Sequence, residues 1–165
     1  MTHYLLDANV FIEAKNRHYG FDFCPAFWDW LVERNQAGAV ASIDKVADEL
    51  RAGQDDLADW AAAQDHGFFL RSDDALASDL RAVSDWVSGG KYQSHAVVTF
   101  MQAADYWLVA HALVQNCIVV THEARANTTS KIKIPNVCKG FNLDCINPFE
   151  MLRRERARFV LEPSR

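Results

Sequence analysis

Short continuous hydrophobic runs alternate along the chain with longer stretches in which apolar residues recur at helical spacing. Short apolar runs that are bounded by polar residues are typical of buried β-strands. The runs that predict strands cover residues 3–6, 39–43, 67–70, 117–121 and 143–146. The pattern therefore predicts five short strands.

The stretches between these runs predict helices. The clearest covers residues 76–87, where apolar residues recur at i, i+4, i+7 and i+11. It follows Ser72 or Asp73 as the expected N-cap and stops at the Gly-Gly pair at 89–90. Further helices are predicted over residues 27–34, 44–52, 56–64, 94–103, 105–116 and 148–158.

This order of elements predicts an α/β fold. Parallel neighbouring strands need a long crossover, usually a helix, and strands that are apolar throughout are covered on both faces. We therefore expect a three-layer α/β/α architecture with a central, mostly parallel sheet of about five strands. A chain of 165 residues without a repeat or a linker is expected to form a single domain over residues 1–165.

Composition narrows the class of protein. Half of the residues are hydrophobic and 24% are charged, which excludes intrinsic disorder, a collagen-like repeat and a coiled coil. No uncharged apolar run approaches the ~18 residues of a membrane helix. The chain is therefore expected to be soluble and cytoplasmic. Cys24, Cys117, Cys138 and Cys145 show no metal-like spacing and are expected to be buried, reduced thiols.

The net charge of −5 hides an asymmetry along the chain. Residues 1–122 carry 8 Lys and Arg against 17 Asp and Glu, whereas residues 123–165 carry 9 against 5. The basic carboxyl-terminal part has two interpretations. It is either a solvated helix face, which is the commoner case, or a patch that binds phosphate.

Four carboxylates lie where an α/β sheet forms its ligand sites. Asp7 closes the first strand, and Glu49 lies on the helix after the second. Asp105 opens the helix before the fourth strand, and Glu123 follows that strand. Sites in open α/β sheets form outside the carboxyl ends of the strands, so these side chains can converge.

A cluster of this kind needs a cation. Two carboxylates about 5 Å apart repel by about 3 kcal/mol at an effective dielectric near 20. Carboxylate oxygens favour Mg²⁺ or Mn²⁺, and such ions can clamp a phosphodiester and activate water. The pattern therefore indicates the chemistry of a nuclease.

Asp7 and Asp105 also have a structural alternative, because either side chain can cap a following helix. Against this, Asp7-Ala8-Asn9 places two polar side chains in an apolar stretch. Asp105 likewise interrupts the apolar string of residues 101–114, where an acid is costly to bury without a partner. Function is therefore the favoured interpretation of Asp7.

Glu49 and Glu123 are less distinctive. Glu49 follows Lys45 by four residues, which is the spacing of an exposed ion pair, but it also borders the core-facing stripe of its helix. Asp44 is the expected N-cap of that helix. Glu123 lies in a loop, where an acid is ordinarily exposed and inert. The pattern alone leaves both alternatives open for Glu49, and it favours the inert, exposed interpretation for Glu123.

The histidines and tryptophans are interpreted as structural. His111 and His122 are isolated on a helix and at a strand end, where histidines more often serve packing than catalysis. The five tryptophans fall at helical positions, which is more typical of packing than of base stacking. None of these residues is assigned to catalysis.

Six segments carry a family resemblance. They are YLLDANVFI at residues 4–12, SIDKVADEL at 42–50, AADYWLVAHAL at 103–113, VVTHE at 119–123, KIPNVC at 133–138 and INPFEML at 146–152. In this order they resemble PIN domains, the metal-dependent ribonuclease fold of VapC-like toxins, in a PIN-like branch formerly of unknown function. Each segment alone is a weak match, whereas four acids in this order are specific.

The resemblance implies that four acids are catalytic and hold one or two Mg²⁺ or Mn²⁺ ions. They are Asp7, Glu49, Asp105 and Glu123. Asn9 and Thr121 match polar positions that line such sites. The implied reaction is hydrolysis of RNA phosphodiester bonds by an activated water, without a covalent enzyme intermediate.

The resemblance also implies partners. PIN toxins act on RNA, commonly form homodimers, and are often held inactive by an antitoxin that sets a basic side chain among the acids. The polar segment 124–133 follows Glu123, and its Arg125, Lys131 and Lys133 are candidates for binding the substrate. We therefore expect the toxin of a toxin–antitoxin pair, without a membrane partner.

Other functions are weighed against this one. The main alternative is a catalytically silent PIN-like module that binds RNA or protein, although the presence of all four acids disfavours it. A phosphatase on a similar sheet would need a second acid where the sequence reads Asp7-Ala8-Asn9. Nucleotide binding by a Gly-rich loop is poorly supported, since no GxGxxG or GxxxxGKS/T motif occurs.

Overall fold

The computed structural model describes residues 2–65 and 67–162, which form five strands and nine α-helices. The strands are β1 (Tyr4–Leu6), β2 (Val40–Ile43), β3 (Phe69–Leu70), β4 (Ile118–Val120) and β5 (Cys145–Ile146). The helices are α1 (Ala8–Glu13), α2 (Pro25–Gln36), α3 (Asp44–Ala52), α4 (Asp56–Ala62), α5 (Ala77–Ser88), α6 (Ser94–Gln102), α7 (Ala104–Gln115), α8 (Ile134–Gly140) and α9 (Pro148–Arg154). A π-helical turn, Ala14–His18, follows α1 directly.

All five strands are parallel and lie in the order β3-β2-β1-β4-β5. Leu5 in the central strand is paired with Ala41 on one side and with Val119 on the other. The chain thus builds the sheet outward from β1 to β3, then crosses to the opposite side of β1 for β4 and β5. Such a change of direction leaves a crevice at the carboxyl ends of the two strands that it separates, here β1 and β4.

Helices cover both faces of this sheet. Every residue of β1 and β2 is buried, and successive side chains of a strand point to opposite faces, so neither face is open at its centre. Helix α2 packs against β2, α7 packs against β2 and β4, and both α5 and α6 pack against α7. The predicted three-layer α/β/α architecture with a parallel sheet is therefore confirmed.

The five strands and seven of the helices lie where the hydrophobic pattern predicts them, with ends shifted by a few residues. The largest shift is in α9, which ends at Arg154 rather than at residue 158, because Arg156 adopts a left-handed backbone with φ of 54°. Helices α1 and α8 were not among the predicted elements. They contain only six and seven residues, too few for a helical period to be recognised.

Asp44 does not cap α3, so this prediction is wrong. Ile43 occupies the N-cap position, and Asp44 is the first helical residue. Its carboxylate instead accepts hydrogen bonds from the backbone N–H of Ser72 at 2.8 Å and from the Ser72 hydroxyl at 2.6 Å. The buried His111 lies 3.0 Å from the same hydroxyl, so these side chains join α3, α7 and the segment after β3.

Several tryptophans contribute to packing, as their positions predict. Trp28 is buried and meets Trp60 edge to face with ring centroids 5.0 Å apart. Trp60 also packs against Phe11 and Phe68, at 5.8 and 5.2 Å. This cluster lies in the hydrophobic core formed by the sheet and its helices.

Replacing Gly140 with alanine is expected to destabilise the fold by about 1–3 kcal/mol, because the new methyl group would overlap the ring of Trp86. A Cβ at Gly140 would lie 2.7 Å from Nε1 of Trp86, a ring atom that cannot move alone. The matched control is Gly67→Ala, because a Cβ there has no neighbour within 4 Å. Thermal unfolding should show a clear loss only for Gly140→Ala, and equal midpoints for the two variants would contradict the packing argument.

No single helix in the described ranges is long and apolar enough to cross a membrane. Helices α6 and α7 pass that test together by length and composition, but the chain bends by 70° between them. Half of the residues of α7 are buried, and the helix packs against the sheet and neighbouring helices.

The four cysteines are free thiols. Cys117 and Cys138 are buried, as expected, whereas Cys24 and Cys145 are half-buried. Burial raises the pKa of Cys117 to about 11. A thiol with this pKa is protonated at neutral pH and is a poor nucleophile.

Candidate active site at the carboxyl edge of the sheet

Asp7 directly follows β1, at the carboxyl edge of the sheet where β1 and β4 lie side by side. Its backbone N–H donates to the carbonyl of Val120 at 2.9 Å, which continues the pairing of the two strands. Oδ1 accepts the N–H of Ala8 at 2.8 Å, so Asp7 does cap α1, and Oδ2 accepts the hydroxyl of Thr121 at 2.8 Å. The side chain is buried and both of its oxygens accept hydrogen bonds, so Asp7 caps α1 and also contacts the residue that follows β4.

The Thr121 hydroxyl connects the first and fourth acids. It donates to Asp7 and accepts hydrogen bonds from the Asn9 amide and from the backbone N–H of Glu123, both at 3.1 Å. The Asn9 carbonyl oxygen in turn accepts the N–H of His122 at 3.1 Å. Asn9 and Thr121 therefore lie beside the acids and orient the chain on both sides of the crevice.

Glu123 is fixed by the helix that follows it. Its Oε2 accepts the backbone N–H of Ile134, the first residue of α8, at 2.8 Å. The loop between Glu123 and Ile134 therefore begins and ends at the Glu123 carboxylate. This contact fixes the Glu123 carboxylate near the end of β4, a position that the sequence pattern did not determine.

Asp105 and Glu49 line the same cleft of about 400 Å³, between α3 and the start of α7. Asp105 is half-buried and is the second residue of α7, whose N-cap is Ala103, so Asp105 does not cap the helix. Glu49 is exposed. Lys45 does not pair with it, because the Lys45 ammonium lies over the ring of Trp107, 4.8 Å from the centroid.

Charge repulsion links all four acids. Burial and the nearby Asp105 carboxylate raise the pKa of Asp7 to about 7, against the lowering effect of the Thr121 hydrogen bond. Burial, Glu123 and Glu49 raise the pKa of Asp105 to about 6, and Lys131 opposes this rise. Asp105 therefore interacts with each of the other acids, and the cluster carries negative charge that the protein compensates only in part.

The donor chemistry of this cluster fits a hard divalent cation. Among the described side chains, however, no set of three or more His, Cys, Asp or Glu residues is arranged so that it could hold a metal ion. Mg²⁺ usually keeps several waters and is bound through one or two carboxylates, so it does not require such a cage. The acids accordingly fit a partly hydrated ion rather than one enclosed by protein ligands.

The three cations that follow Glu123 in sequence are placed differently. Lys131 is exposed and lines a cleft with Asp105, and Arg125 is exposed and lines a cleft with Glu123. Lys133 is half-buried and immediately precedes α8. Lys131 and Arg125 therefore each line a cleft that contains one of the acids.

Sequence reasoning missed two neighbours of the acids, Trp107 and Lys139, and considered a third, Lys45, only as an ion-pair partner of Glu49. Lys45 and Trp107 line the cleft of Glu49 and Asp105, and Lys139 lines the cleft of Glu123. Lys139 belongs to the unpredicted helix α8, so nothing in the sequence pattern relates it to Glu123. Trp107 follows Asp105 by two residues, and this spacing near the start of a helix was the available signal.

His122 packs among aromatic rings. Its ring centroid lies 5.6 Å from that of His18 and 5.8 Å from that of Phe149. Burial and the neighbouring His18 lower the pKa of His122, so the ring is neutral at pH 7. This environment agrees with the structural interpretation of His122.

Comparisons with known proteins match the chain to a family model and to solved structures. A family model described as "Domain of unknown function (DUF4411)" matches residues 4–159. No curated relative matches the chain significantly. Among solved structures, the chain is similar to one described as "Crystal structure of VapBC2 from Rickettsia felis bound to a DNA fragment from their promoter". The TM-score is 0.49 and the sequence identity is 15%, over 89% of this chain and 98% of that chain.

Proposed function

The chain belongs to the family described as Domain of unknown function (DUF4411), and we propose that it is a metal-dependent endoribonuclease of the PIN type. The observation that supports this most directly is the acidic cluster at the switch point of the sheet. Asp7, Asp105 and Glu123 repel one another there, and Glu49 joins them through Asp105. A cluster of acids that is partly buried and lacks matching cations is costly unless it binds a cation.

In this proposal the acids hold Mg²⁺ or Mn²⁺, and the ion supplies charge neutralisation of the scissile phosphodiester and activation of water. Asp7 is positioned for this role because both of its oxygens are already oriented, by Ala8 and Thr121. Ile134 fixes Oε2 of Glu123 in the same way. Such oriented carboxylates lose little conformational entropy when a ligand binds.

RNA is the proposed substrate because cations adjoin the acids on a chain that is otherwise acidic. Residues 1–122 carry 8 basic against 17 acidic side chains, which repel a polyanion over most of the surface. Lys131 and Arg125 lie beside the cluster and can contact phosphates on either side of the cleaved bond. Lys133 is proposed to attract the RNA more weakly than Lys131 and Arg125 do, and at longer range.

The biological role that we propose is the toxin of a toxin–antitoxin pair, as the resemblance to PIN domains implies. An antitoxin that places a basic side chain among the acids would relieve their repulsion without a metal ion. A homodimer is part of the same proposal.

The decisive experiment incubates the purified protein with defined RNAs in Mn²⁺, in Mg²⁺ and in EDTA, beside the Asp7→Asn variant. Cleavage is expected with the metal ions and should be lost in EDTA and in the variant. Asparagine keeps the helix cap, so loss of activity would report on the carboxylate rather than on folding. Cleavage that survives both treatments would indicate contamination or a different chemistry.

A second candidate is a catalytically silent PIN-like module that binds RNA or protein. It is favoured by one observation, that no three acids among the described residues are arranged to hold a metal ion. This candidate predicts binding of RNA without cleavage in any metal ion. The same assay therefore separates the two functions.

A further inference from the structure

A cleft of about 360 Å³ between the loop after β4 and helix α8 is lined by positive and amide side chains without an acid. Its lining residues are Arg125, Ala126, Asn127, Asn136 and Lys139. Neither cation forms a salt bridge with any residue that the structure describes. Two like charges that line one cleft repel each other, and an anion bound between them offsets this repulsion.

The walls of this cleft are held together by one side chain. Oδ1 of Asn136 accepts the backbone N–H of Ala126 at 3.1 Å, and its Nδ2 donates to the carbonyl of Ala126 at 3.1 Å. This pair of bonds ties the residue next to Arg125 to the helix that carries Lys139. The two cations are therefore presented on a fixed frame, which lowers the entropic cost of binding a ligand.

The same two cations connect this cleft with the acidic cluster. Arg125 and Lys139 also line an adjoining cleft of about 480 Å³ that contains Glu123. The larger cleft also contains Asp144, whereas no acid lines the smaller one. A chain molecule that has one group at Glu123 can thus place a later group between Arg125 and Lys139.

We propose that the cleft between Arg125 and Lys139 binds a backbone phosphate of the RNA substrate, adjacent to the phosphate that is cleaved. The identity of the ligand as RNA rests on the proposed function. An arginine presents several N–H donors that suit phosphate oxygens, and the lysine adds a point charge. Lys131, which lines a cleft with Asp105, is a further cation next to the acids that the same RNA could reach.

The test measures binding separately from cleavage. Fluorescence anisotropy of a labelled single-stranded RNA is recorded in EDTA at several KCl concentrations, for wild type, Arg125→Ala, Lys139→Ala and the double variant. Loss of this one phosphate contact should reduce the slope of log Kd against log salt by about 0.7 in the double variant, and by a part of that in each single variant. The Lys139→Arg variant keeps the positive charge and should show the same slope as the wild type.

Arg81→Ala is the matched control, because Arg81 is an exposed arginine on α5 outside these clefts, and it should leave the slope unchanged. Equal slopes for wild type and the double variant would overturn the proposal, as would the absence of RNA binding by the wild type. RNA binding with the expected slopes but no cleavage in Mn²⁺ or Mg²⁺ would remove the nuclease function and leave this phosphate site intact.

Discussion

Replacement of Asp105 by asparagine is expected to lower the metal-dependent rate of RNA cleavage by at least about 100-fold. Residues that merely orient metal ligands already contribute about 10- to 100-fold. Asp105 should exceed this because it is the acid whose charge interacts with each of the other three. Cleavage of a defined RNA in Mn²⁺ under single-turnover conditions measures the effect on the chemical step.

Asp48→Asn is the matched control for this prediction. Asp48 lines the same cleft as Asp105 and Glu49, is exposed, and carries the same charge, but it does not contribute to the raised pKa of Asp105. Its replacement should change the rate only slightly. If the two variants lose activity equally, the cluster acts through its general negative charge and not through Asp105.

The stability of the metal-free protein is expected to fall as the pH rises from about 4 to about 7. The pKa of Asp7 rises from 3.8 to about 7 on folding, and that of Asp105 rises from 3.8 to about 6. Between these values the native state binds more protons than the unfolded state, so the free energy of unfolding decreases with pH. Above pH 7 both carboxyls are ionised in both states and contribute no further slope.

Asp7→Asn should abolish most of this slope and make the metal-free protein more stable than wild type at pH 8. The upper limit of the gain is about 4 kcal/mol, because each pKa unit corresponds to about 1.4 kcal/mol. Urea unfolding in EDTA at a series of pH values measures the effect. Addition of Mn²⁺ should raise the stability of the wild type more than that of the variant, since an ion that binds only the native state stabilises it.

The comparison must use the difference between wild type and variant. Burial lowers the pKa of His111 and of His122. Protonation of such histidines lowers the free energy of unfolding as the pH falls, which opposes the slope that the acids produce. Both proteins share these histidines, so their contribution cancels in the difference. A variant that is less stable than wild type at pH 8 would show that the Asp7 carboxylate is compensated in the native state.

The hydrophobic pattern was sufficient for the strands and for the longer helices. The runs around Leu5, Val40 and Val119 are mostly apolar, and each forms a strand that is buried on both faces. The short helices α1 and α8 were beyond its reach, because six or seven residues show no helical period and the contact of Glu123 with Ile134 joins residues that are 11 apart. The wrong role for Asp44 has the same origin, since its partner Ser72 is 28 residues away.

For the candidate site, the types of the residues and their order along the chain predicted which residues belong to it. They did not predict the contacts between those residues. The positions of Asp7 and Glu123 at strand ends predicted which edge of the sheet they occupy. Their catalytic and metal-binding roles remain predictions. Nothing local indicated that the Thr121 hydroxyl would join them, or that Lys45 would lie over Trp107 instead of pairing with Glu49.

The sequence by itself determined the class of fold and the identity of the candidate carboxylates. The hydrophobic period depends on residues that are close in sequence, and side-chain chemistry depends on the residue alone. Only the tertiary structure determined how strongly the acids repel, how far each is buried, and that Arg125 and Lys139 border one cleft. These quantities depend on distances between residues far apart in the chain. Coulomb energy and desolvation vary steeply with such distances, and a linear pattern does not contain them.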